Sequence, residues 1–251
     1  MIRDLDGRVA LVTGAAGAGI GRATARRLAL AGATVVVTDV HERRTAETVE
    51  ALREDTGGNL VGHVLDGGDA EAITQVVALV RGSIGPIDVL VNNAAINPFA
   101  GVDDLQPAEW ERAIAVDLTG PWLLIRAVLP DMKQRGRGSI VNVSSIAAYT
   151  APDREAPYAA AKAALQSLTR TVAREMGAHG IRCNAVAPGL IWTRFMEKYE
   201  EQFRAEVERT PLRRWGQPDD VADVIHFLAS DASRFITGEV LTVSGGWYMH
   251  A

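Results

Sequence analysis

The sequence predicts a doubly wound α/β fold, a parallel sheet covered by helices on both faces. Three observations predict it. Seven short runs rich in β-branched residues recur along the chain, amphipathic stretches of helical period separate them, and several runs are apolar on nearly every residue. Strands buried on both faces read that way, and crossover helices bury both faces of a parallel sheet.

The elements follow in order. Arg8–Thr13 (RVALVT) is the first strand, and Gly21–Leu30 the first helix, with Gly32 where a C-cap belongs. Thr34–Val40 (TVVVTDV) and Leu60–Asp66 (LVGHVLD) are the second and third strands. A helical pattern over Ala70–Arg81 leads to the fourth strand, Ile87–Asn92. The long pattern Pro107–Arg135 reads as one helix closed by Gly136, and Ser139–Ser144 is the fifth strand. Tyr158–His179 is a helix closed by Gly180, followed by the sixth strand, Ile181–Ala187. The seventh, Val240–Ser244, follows a helix at Asp219–Ser230. Leu190–Arg214 breaks this rhythm. An insertion at the carboxyl end of a strand is where such folds build a substrate lid, so residues 1–251 read as one domain with a lid at about 190–214.

Composition bounds the partners. With 251 residues, 47% hydrophobic and a net charge of −5, the chain has no electrostatic footprint for nucleic acid or an anionic membrane. Its single cysteine, Cys183, has no internal disulfide partner, and the charged start MIRDLDGR does not read as a signal peptide. A cytoplasmic protein that uses no membrane span and no metal is the expectation.

The first strand runs through Thr13-Gly14-Ala15-Ala16-Gly17-Ala18-Gly19-Ile20-Gly21 into a helix. Glycines at such a junction let the backbone approach a pyrophosphate that the helix N-terminus then stabilises, although the same loop also occurs as a tight turn without ligand. Asp39 closes the second strand, 20 residues after Gly19, where a carboxylate accepts hydrogen bonds from adenosine ribose hydroxyls. It also repels a 2′-phosphate, so NAD is expected over NADP. Arg43 and Arg44 nearby are the objection, and they read as a solvated pair.

Tyr158 and Lys162 stand at i and i+4 on one helix face, and Ser145 lies thirteen residues before Tyr158 at a strand end. A neighbouring ammonium favours the phenolate, as a general acid/base requires, and a serine hydroxyl can orient a substrate oxygen against the phenol.

Here the sequence resembles the short-chain dehydrogenases/reductases of the compact single-domain kind. The resemblance covers essentially the whole chain and rests on the Thr13–Gly21 loop, Asp66, Asn92-Asn93-Ala94, Ser145, Tyr158, Lys162, Pro188-Gly189 with Ile191 and Thr193, and Gly245-Gly246. It implies a Rossmann-type sheet of seven strands and hydride transfer between a nicotinamide cofactor and an alcohol or carbonyl. Tyr158 is then the acid/base, Ser145 positions the substrate oxygen, and Lys162 binds the nicotinamide ribose and lowers the Tyr158 pKa. The loop, with Gly14, Gly17, Gly19, Ile20 and Gly21, holds the pyrophosphate. Asp66 and the backbone after it hold the adenine, and Asn93 lies against the adenosine end and stabilises the central strand. Ile191 and Thr193 contact the carboxamide.

Three departures stand out. The glycine loop is one residue longer than the family's, with Ala15–Ala18 between Gly14 and Gly19, which leaves open which amides meet the pyrophosphate. Ala95 stands where the family has Gly. Asp117 stands where the family places a fourth catalytic residue, an Asn that helps hold a relay water. An ionised carboxylate accepts hydrogen bonds but donates none. Near Lys162 it would pair with the ammonium and blunt its effect on Tyr158. The preferred reading is blander: backbone carbonyls hold the water and the side chain is permissive.

In the lid, Trp192, Phe195, Met196 and Tyr199, joined by Phe99 and Tyr149, suit a hydrophobic or cyclic substrate, unless they simply pack the lid onto the body. Arg194, Arg213 and Arg214 would meet an anionic tail or form a solvated face. The expected function is an NAD(H)-dependent oxidoreductase of a secondary alcohol or ketone. The alternatives are a 3-oxoacyl thioester reductase or 3-hydroxyacyl dehydrogenase and, in another class, a non-catalytic redox sensor. A homotetramer is expected, with the two long helices pairing across one axis and Trp247-Tyr248-Met249 across another.

Overall fold

The computed structural model describes residues 3–193, 196–197 and 200–249. All seven expected strands form: β1 (Val9–Thr13), β2 (Thr34–Asp39), β3 (Leu60–Val64), β4 (Val89–Asn92), β5 (Gly138–Val143), β6 (Ile181–Pro188) and β7 (Val240–Val243). They make one sheet in the order β3-β2-β1-β4-β5-β6-β7, parallel at every pairing. The order reverses between β1 and β4, so a crevice opens at their carboxyl ends, where open α/β sheets bind ligands.

Alternation along a strand explains the continuous apolar runs. On β1, Ala10 and Val12 join one core layer with Leu28 of α1 (Ile20–Leu30), Leu52 of α2 (Glu42–Thr56) and Ile225 of α9 (Pro218–Ala229). Val9 and Leu11 point the other way. They meet Val80 of α3 (Ala70–Ser83), Leu124 of α5 (Gly120–Arg135) and Val172 of α7 (Ala156–Met176). Successive side chains alternate faces, and because both faces are covered, both sets are apolar. The helix α2 is mostly polar and buries only Thr45, Thr48, Val49 and Leu52, so apolar periodicity passes over it.

The expected single helix over Pro107–Arg135 is instead α4 (Pro107–Ile114), a π-helical turn at Ala115–Thr119, and α5. A one-residue widening of this kind changes which side chains face inward, and it carries Asp117 fully into the interior. By length and composition this 29-residue run passes as membrane-spanning, with a mean hydropathy of 1.4 in its most apolar window. Here it supplies Leu124, Ile125, Val128 and Met132 to the second core layer. The helix α7 begins two residues before Tyr158, with Pro157 in its first turn, and ends in a 3₁₀ turn, Gly177–His179. The insertion expected to form a lid contains α8 (Glu200–Arg209), and a parallel bridge pairs Ile191 with Gly216. The short α6 (Ala147–Thr150) lies between β5 and α7.

Candidate active site

The glycine loop joins β1 to α1 at the crevice, and its geometry is set by close approach. A Cβ on Gly14, at φ 60°, would lie 2.8 Å from the Ala94 Cα. One on Gly21 would strike the Gly14 carbonyl and the Asn93 side-chain amide. Two loop amides are spent inside the protein: Ala16 N–H donates to Asp39 Oδ2 at 3.3 Å and Gly17 N–H to Thr48 Oγ1 at 3.1 Å. Ala18, within the longer loop, is exposed. The first intrahelical bond of α1 runs from Ala23 N–H to the Gly19 carbonyl, so the amides of Ile20, Gly21 and Arg22 precede it. Those first-turn donors face the cleft with the positive end of the helix dipole. Gly17, expected at the pyrophosphate, does not line the cleft, because its amide is turned to Thr48.

A cleft of about 830 Å³ runs from this loop to the lid. It gathers Gly14, Gly19, Ile20, Gly21, Asp39, Asp66, Asn93, Ser145, Tyr158, Lys162, Pro188, Gly189, Ile191 and Thr193 along one surface. Of the expected site residues, only Gly17 and Asp117 are outside its lining. The set spans six strand ends, β1 to β6, which parallel order brings to one edge.

Asp39 is 9% exposed at the end of β2. Burial raises its pKa, against the Ala16 amide, the Arg44 charge and the Val40 amide. Both arginines are exposed, as a solvated pair would be, but Arg44 Nη2 also lies 3.7 Å from Asp39 Oδ1. Arg43 does turn outward, to Glu47. Asp66 also has an unforeseen partner: Arg112 Nη2 reaches both its oxygens, at 2.8 and 2.9 Å. Burial would raise the Asp66 pKa, but the Arg112 hydrogen bonds and the Gly68 amide hold it below the usual carboxylate range. The Asp66 carboxylate is therefore engaged by Arg112, and Leu65 and Gly67 flank it in the cleft wall. Asn93 Nδ2 donates to the carbonyls of Thr13 and Gly14, at 2.8 and 3.0 Å, tying the end of β4 to the loop.

Ser145 follows β5, and its Oγ accepts from Ala147 N–H at 3.1 Å. Lys162 is 2% exposed and donates to the Val143 carbonyl at 3.0 Å, with Nζ 5.3 Å from the Tyr158 ring centroid. The Asp117 carboxylate lies behind it. Its Oδ1 accepts from Ile96 N–H at 2.9 Å, while Oδ2 is buried without a hydrogen-bond partner, 3.9 Å from Lys162 Nζ. That separation is the pairing geometry the sequence left as the less favoured alternative. Burial pushes the Asp117 pKa up to about 6, against the Lys162 charge and the Ile96 amide. Burial lowers the Lys162 pKa, and Asp117 raises it. The phenol departs from expectation. Burial raises the Tyr158 pKa, a hydrogen bond with Ser145 lowers it, and Asp117 and Glu155 raise it further. Desolvation of the phenolate is the largest cause, and it outweighs the Ser145 hydrogen bond.

The lid aromatics divide between packing and lining. Trp192 packs edge-on to Trp215 at 5.3 Å, Phe203 meets the same ring at 6.4 Å, and Tyr149 stacks on Tyr248 at 4.5 Å. Phe99, Met196, Phe203 and Trp247 line the cleft. Arg194, Phe195 and Tyr199 lie outside the described residues. Arg214 is committed to Asp220 in the first turn of α9 by two hydrogen bonds, at 2.7 and 2.9 Å, rather than to a substrate. Among the described residues no cluster of metal ligands is present.

Known proteins resemble this arrangement over nearly the whole chain. A family model described as enoyl-(acyl carrier protein) reductase matches residues 14–248. Human dehydrogenase/reductase SDR family member 4 is 42% identical over 248 residues, covering 96% of this chain and 88% of that protein. The 3-oxoacyl-[acyl-carrier-protein] reductase FabG of Thermotoga maritima is 41% identical over 243 residues, 96% of this chain and 98% of its own. A gluconate 5-dehydrogenase from Burkholderia cenocepacia, solved in complex with NADP and tartrate, has a TM-score of 0.91 and 36% identity, covering 98% of this chain and 96% of that one. With the Ser145, Tyr158 and Lys162 constellation at the mouth of a glycine-loop cleft and likenesses of this extent, the chain belongs to the short-chain dehydrogenases/reductases, which bind a nicotinamide cofactor and interconvert alcohols and carbonyls.

Proposed function

We propose that the chain is an NAD(H)-dependent oxidoreductase of a hydrophobic or cyclic secondary alcohol or ketone. One observation carries this: a single cleft has Asp39 at one end and, at the other, Ser145 and Tyr158 under the apolar side chains of Phe99, Met196, Phe203 and Trp247. A carboxylate at the ribose end disfavours a 2′-phosphate, and an apolar roof favours a substrate of the same character. The residues fit a dinucleotide. Nothing stands within 4 Å of where a Gly19 Cβ would be, and the first-turn amides of α1 have no intrahelical acceptors. On this reading Gly14, Gly19, Ile20 and Gly21 hold the pyrophosphate, and Asp39 the adenosine ribose. The backbone at Asp66 and Gly67 holds the adenine, Lys162 the nicotinamide ribose, and Pro188, Gly189, Ile191 and Thr193 the carboxamide side.

When bound, the nicotinamide gives or takes the hydride. The protein's part is the proton. In reduction the Tyr158 hydroxyl donates its proton to the carbonyl oxygen, which the Ser145 hydroxyl also hydrogen-bonds. In oxidation the phenolate takes the proton back from the alcohol. A phenol held above its ordinary pKa is ready to donate at neutral pH, so oxidation should accelerate as pH rises. Lys162, fixed on the Val143 carbonyl, steadies the negative phenolate, and Asp117 moderates that effect.

Steady-state kinetics with NAD and NADP against a panel of secondary alcohols test the reading. A higher kcat/KM with NADP would overturn the role given to Asp39, and Arg44 at 3.7 Å is the group that would cause it. A second reading, reduction of a 3-oxoacyl thioester, is favoured by the description of the matching family model and by the Thermotoga relative. Acetoacetyl-coenzyme A as sole substrate separates the two. A non-catalytic sensor predicts no turnover of anything in the panel, and the intact Ser145, Tyr158 and Lys162 speak against it.

The proposal extends to a cytoplasmic homotetramer, with α4, α5 and α7 pairing across one axis and the C-terminal residues across another. Trp110 and Trp122, 41% and 45% exposed on α4 and α5, and Met249, 73% exposed, are the apolar surface such contacts would cover. A monomer by light scattering at micromolar concentration would refute the assembly, and cell fractionation tests the compartment.

A further inference from the structure

One wall of the substrate end is built from two segments whose polar groups the mechanism does not use. Residues 97–100 follow β4, and residues 151–155 precede α7. Ala100 N–H donates to the Arg154 carbonyl at 3.1 Å, and Arg154 Nη2 to the Phe99 carbonyl at 3.2 Å. Ala151 and Arg154 hold φ angles of 44° and 65°, a region that non-glycine residues seldom adopt. The wall is thus a fixed construction and not a slack loop.

Its tip is Glu155 with Asn97, and both line the cleft alongside Ser145 and Tyr158. Glu155 is the N-cap residue of α7, and its side chain makes no cap hydrogen bond. It turns instead to Asn97, whose Nδ2 donates to Oε2 at 3.0 Å. Two acceptors are then left beside each other. Asn97 Oδ1 is buried with no hydrogen-bond partner, and Glu155 Oε1 takes no donor among the described residues. Burial raises the Glu155 pKa and the Asn97 amide lowers it, in keeping with a carboxylate short of donors. Glu155 is also near enough to Tyr158, one helical turn on, to raise the phenol's pKa.

We propose that Glu155 and Asn97 form a specificity site that accepts a hydrogen bond from a second hydroxyl of the substrate, away from the carbon that is oxidised. This rests on the alcohol-oxidoreductase reading above and narrows its substrate class to cyclic or branched diols and hydroxyketones. Acceptors without a donor select a donor and repel a carboxylate or phosphate in the same place, because an unpaired buried acceptor is costly and an opposed anion costlier. The flanking Phe99, Phe203 and Trp247 suit the carbon frame that carries the two hydroxyls.

The test compares cyclohexanol with the cis and trans isomers of 1,2-, 1,3- and 1,4-cyclohexanediol, in the presence of NAD. At least one diol should exceed cyclohexanol about tenfold or more in kcat/KM, mostly through KM, as a hydrogen bond to a charged acceptor allows. Glu155→Gln removes the charge and replaces one acceptor oxygen with an N–H donor, and Asn97→Ala removes the other acceptor. Each should cut the diol-to-cyclohexanol ratio about tenfold. Quenching of tryptophan fluorescence in the NADH-bound protein reads the same ratio as binding, without turnover. A wild-type ratio near one, by kinetics and by binding, would overturn the site while leaving the alcohol reading intact. So would a ratio that both variants preserve. Failure of the alcohol reading shows itself differently, as no turnover of any alcohol, and the binding ratio then decides the site on its own.

Discussion

At the amino edge of the sheet Asp88 is 3% exposed just before β4. Its Oδ2 accepts from Val9 N–H at 2.9 Å, and Arg8, Arg135 and Arg137 stand 3.6, 3.0 and 3.2 Å from Oδ1. At the carboxyl edge Asp117 is 0% exposed and has one backbone donor and one ammonium, the latter at 3.9 Å. Both are carboxylates taken out of water by the same sheet. One faces three guanidinium groups and, through its bond to the Val9 amide, fastens the start of β4 to β1. The other is under-compensated, and burial pushes its pKa up to about 6, where it gains or loses a proton near neutrality. A buried charge becomes structural when its partners are in excess and chemical when they are short. In this fold the two cases fall at opposite ends of the strands, the end without loops of its own chemistry and the end where the cleft opens.

Each substitution that follows asks whether that division holds. The largest effect is expected at the carboxyl edge. Tyr158→Phe removes the proton donor and should lower kcat by about 10³-fold or more, with urea stability within about 1 kcal/mol of the parent. Retention of a tenth of the activity would mean that another group carries the proton. At the amino edge the reverse is expected. Asp88→Ala leaves three guanidinium groups facing one another and the Val9 amide unpaired. It should destabilise by about 2–4 kcal/mol in urea unfolding, the partial exposure of the arginines keeping it below a fully buried case. The kcat of the folded fraction should stay within about twofold, if the division is real.

The division also explains what could be read before the structure. The seven strands were legible because a sheet covered on both faces makes each strand apolar throughout, as β1 shows with Ala10 and Val12 on one side and Val9 and Leu11 on the other. Ser145, Tyr158 and Lys162 were legible because helical spacing and strand ends fix their positions locally. Arg112 on Asp66 was not, since the two meet across 46 positions, and neither segment carries a sign of the other. Glu155 with Asn97 was missed for the same reason, at a separation of 58. The π-helical turn leaves no trace in hydrophobic periodicity, so Pro107–Arg135 read as one helix and the burial of Asp117 went unseen. The role of Arg44 turned on a side-chain direction that spacing alone does not give.

A smaller effect is expected at the far end of the cleft. Asp39→Ser removes the carboxylate that Arg44 faces and frees the guanidinium. The kcat/KM ratio of NAD to NADP should fall by about tenfold, the worth of one charged hydrogen bond, with the change mostly in KM for the cofactor. An unchanged ratio would assign the preference to the loop amides and not to Asp39.

The smallest and most informative change is Asp117→Asn, which leaves the shape of the site in place and removes only the charge. Its sign can be worked out on two readouts. A carboxyl whose pKa rises from 3.8 to about 6 on folding binds its proton more tightly in the native state. The wild type therefore loses stability as pH rises from about 4 to about 6, by an amount on the order of 3 kcal/mol at most. Asparagine has no such proton, so the stability difference between variant and wild type should move in the variant's favour across that window. Above it the carboxylate is an anion that holds the Tyr158 pKa up and offsets the Lys162 charge. Without it the phenolate forms more readily, and the acid-side limb of the pH–rate profile for alcohol oxidation should move to lower pH. A limb that stays in place would mean that backbone carbonyls alone govern the proton path and that the 3.9 Å pairing is inert. A limb that moves to higher pH would contradict both accounts, because losing a neighbouring anion cannot raise a phenol's pKa by electrostatics. The carboxylate would then itself be carrying the proton, and the under-compensated end of the sheet would hold a relay rather than a moderator.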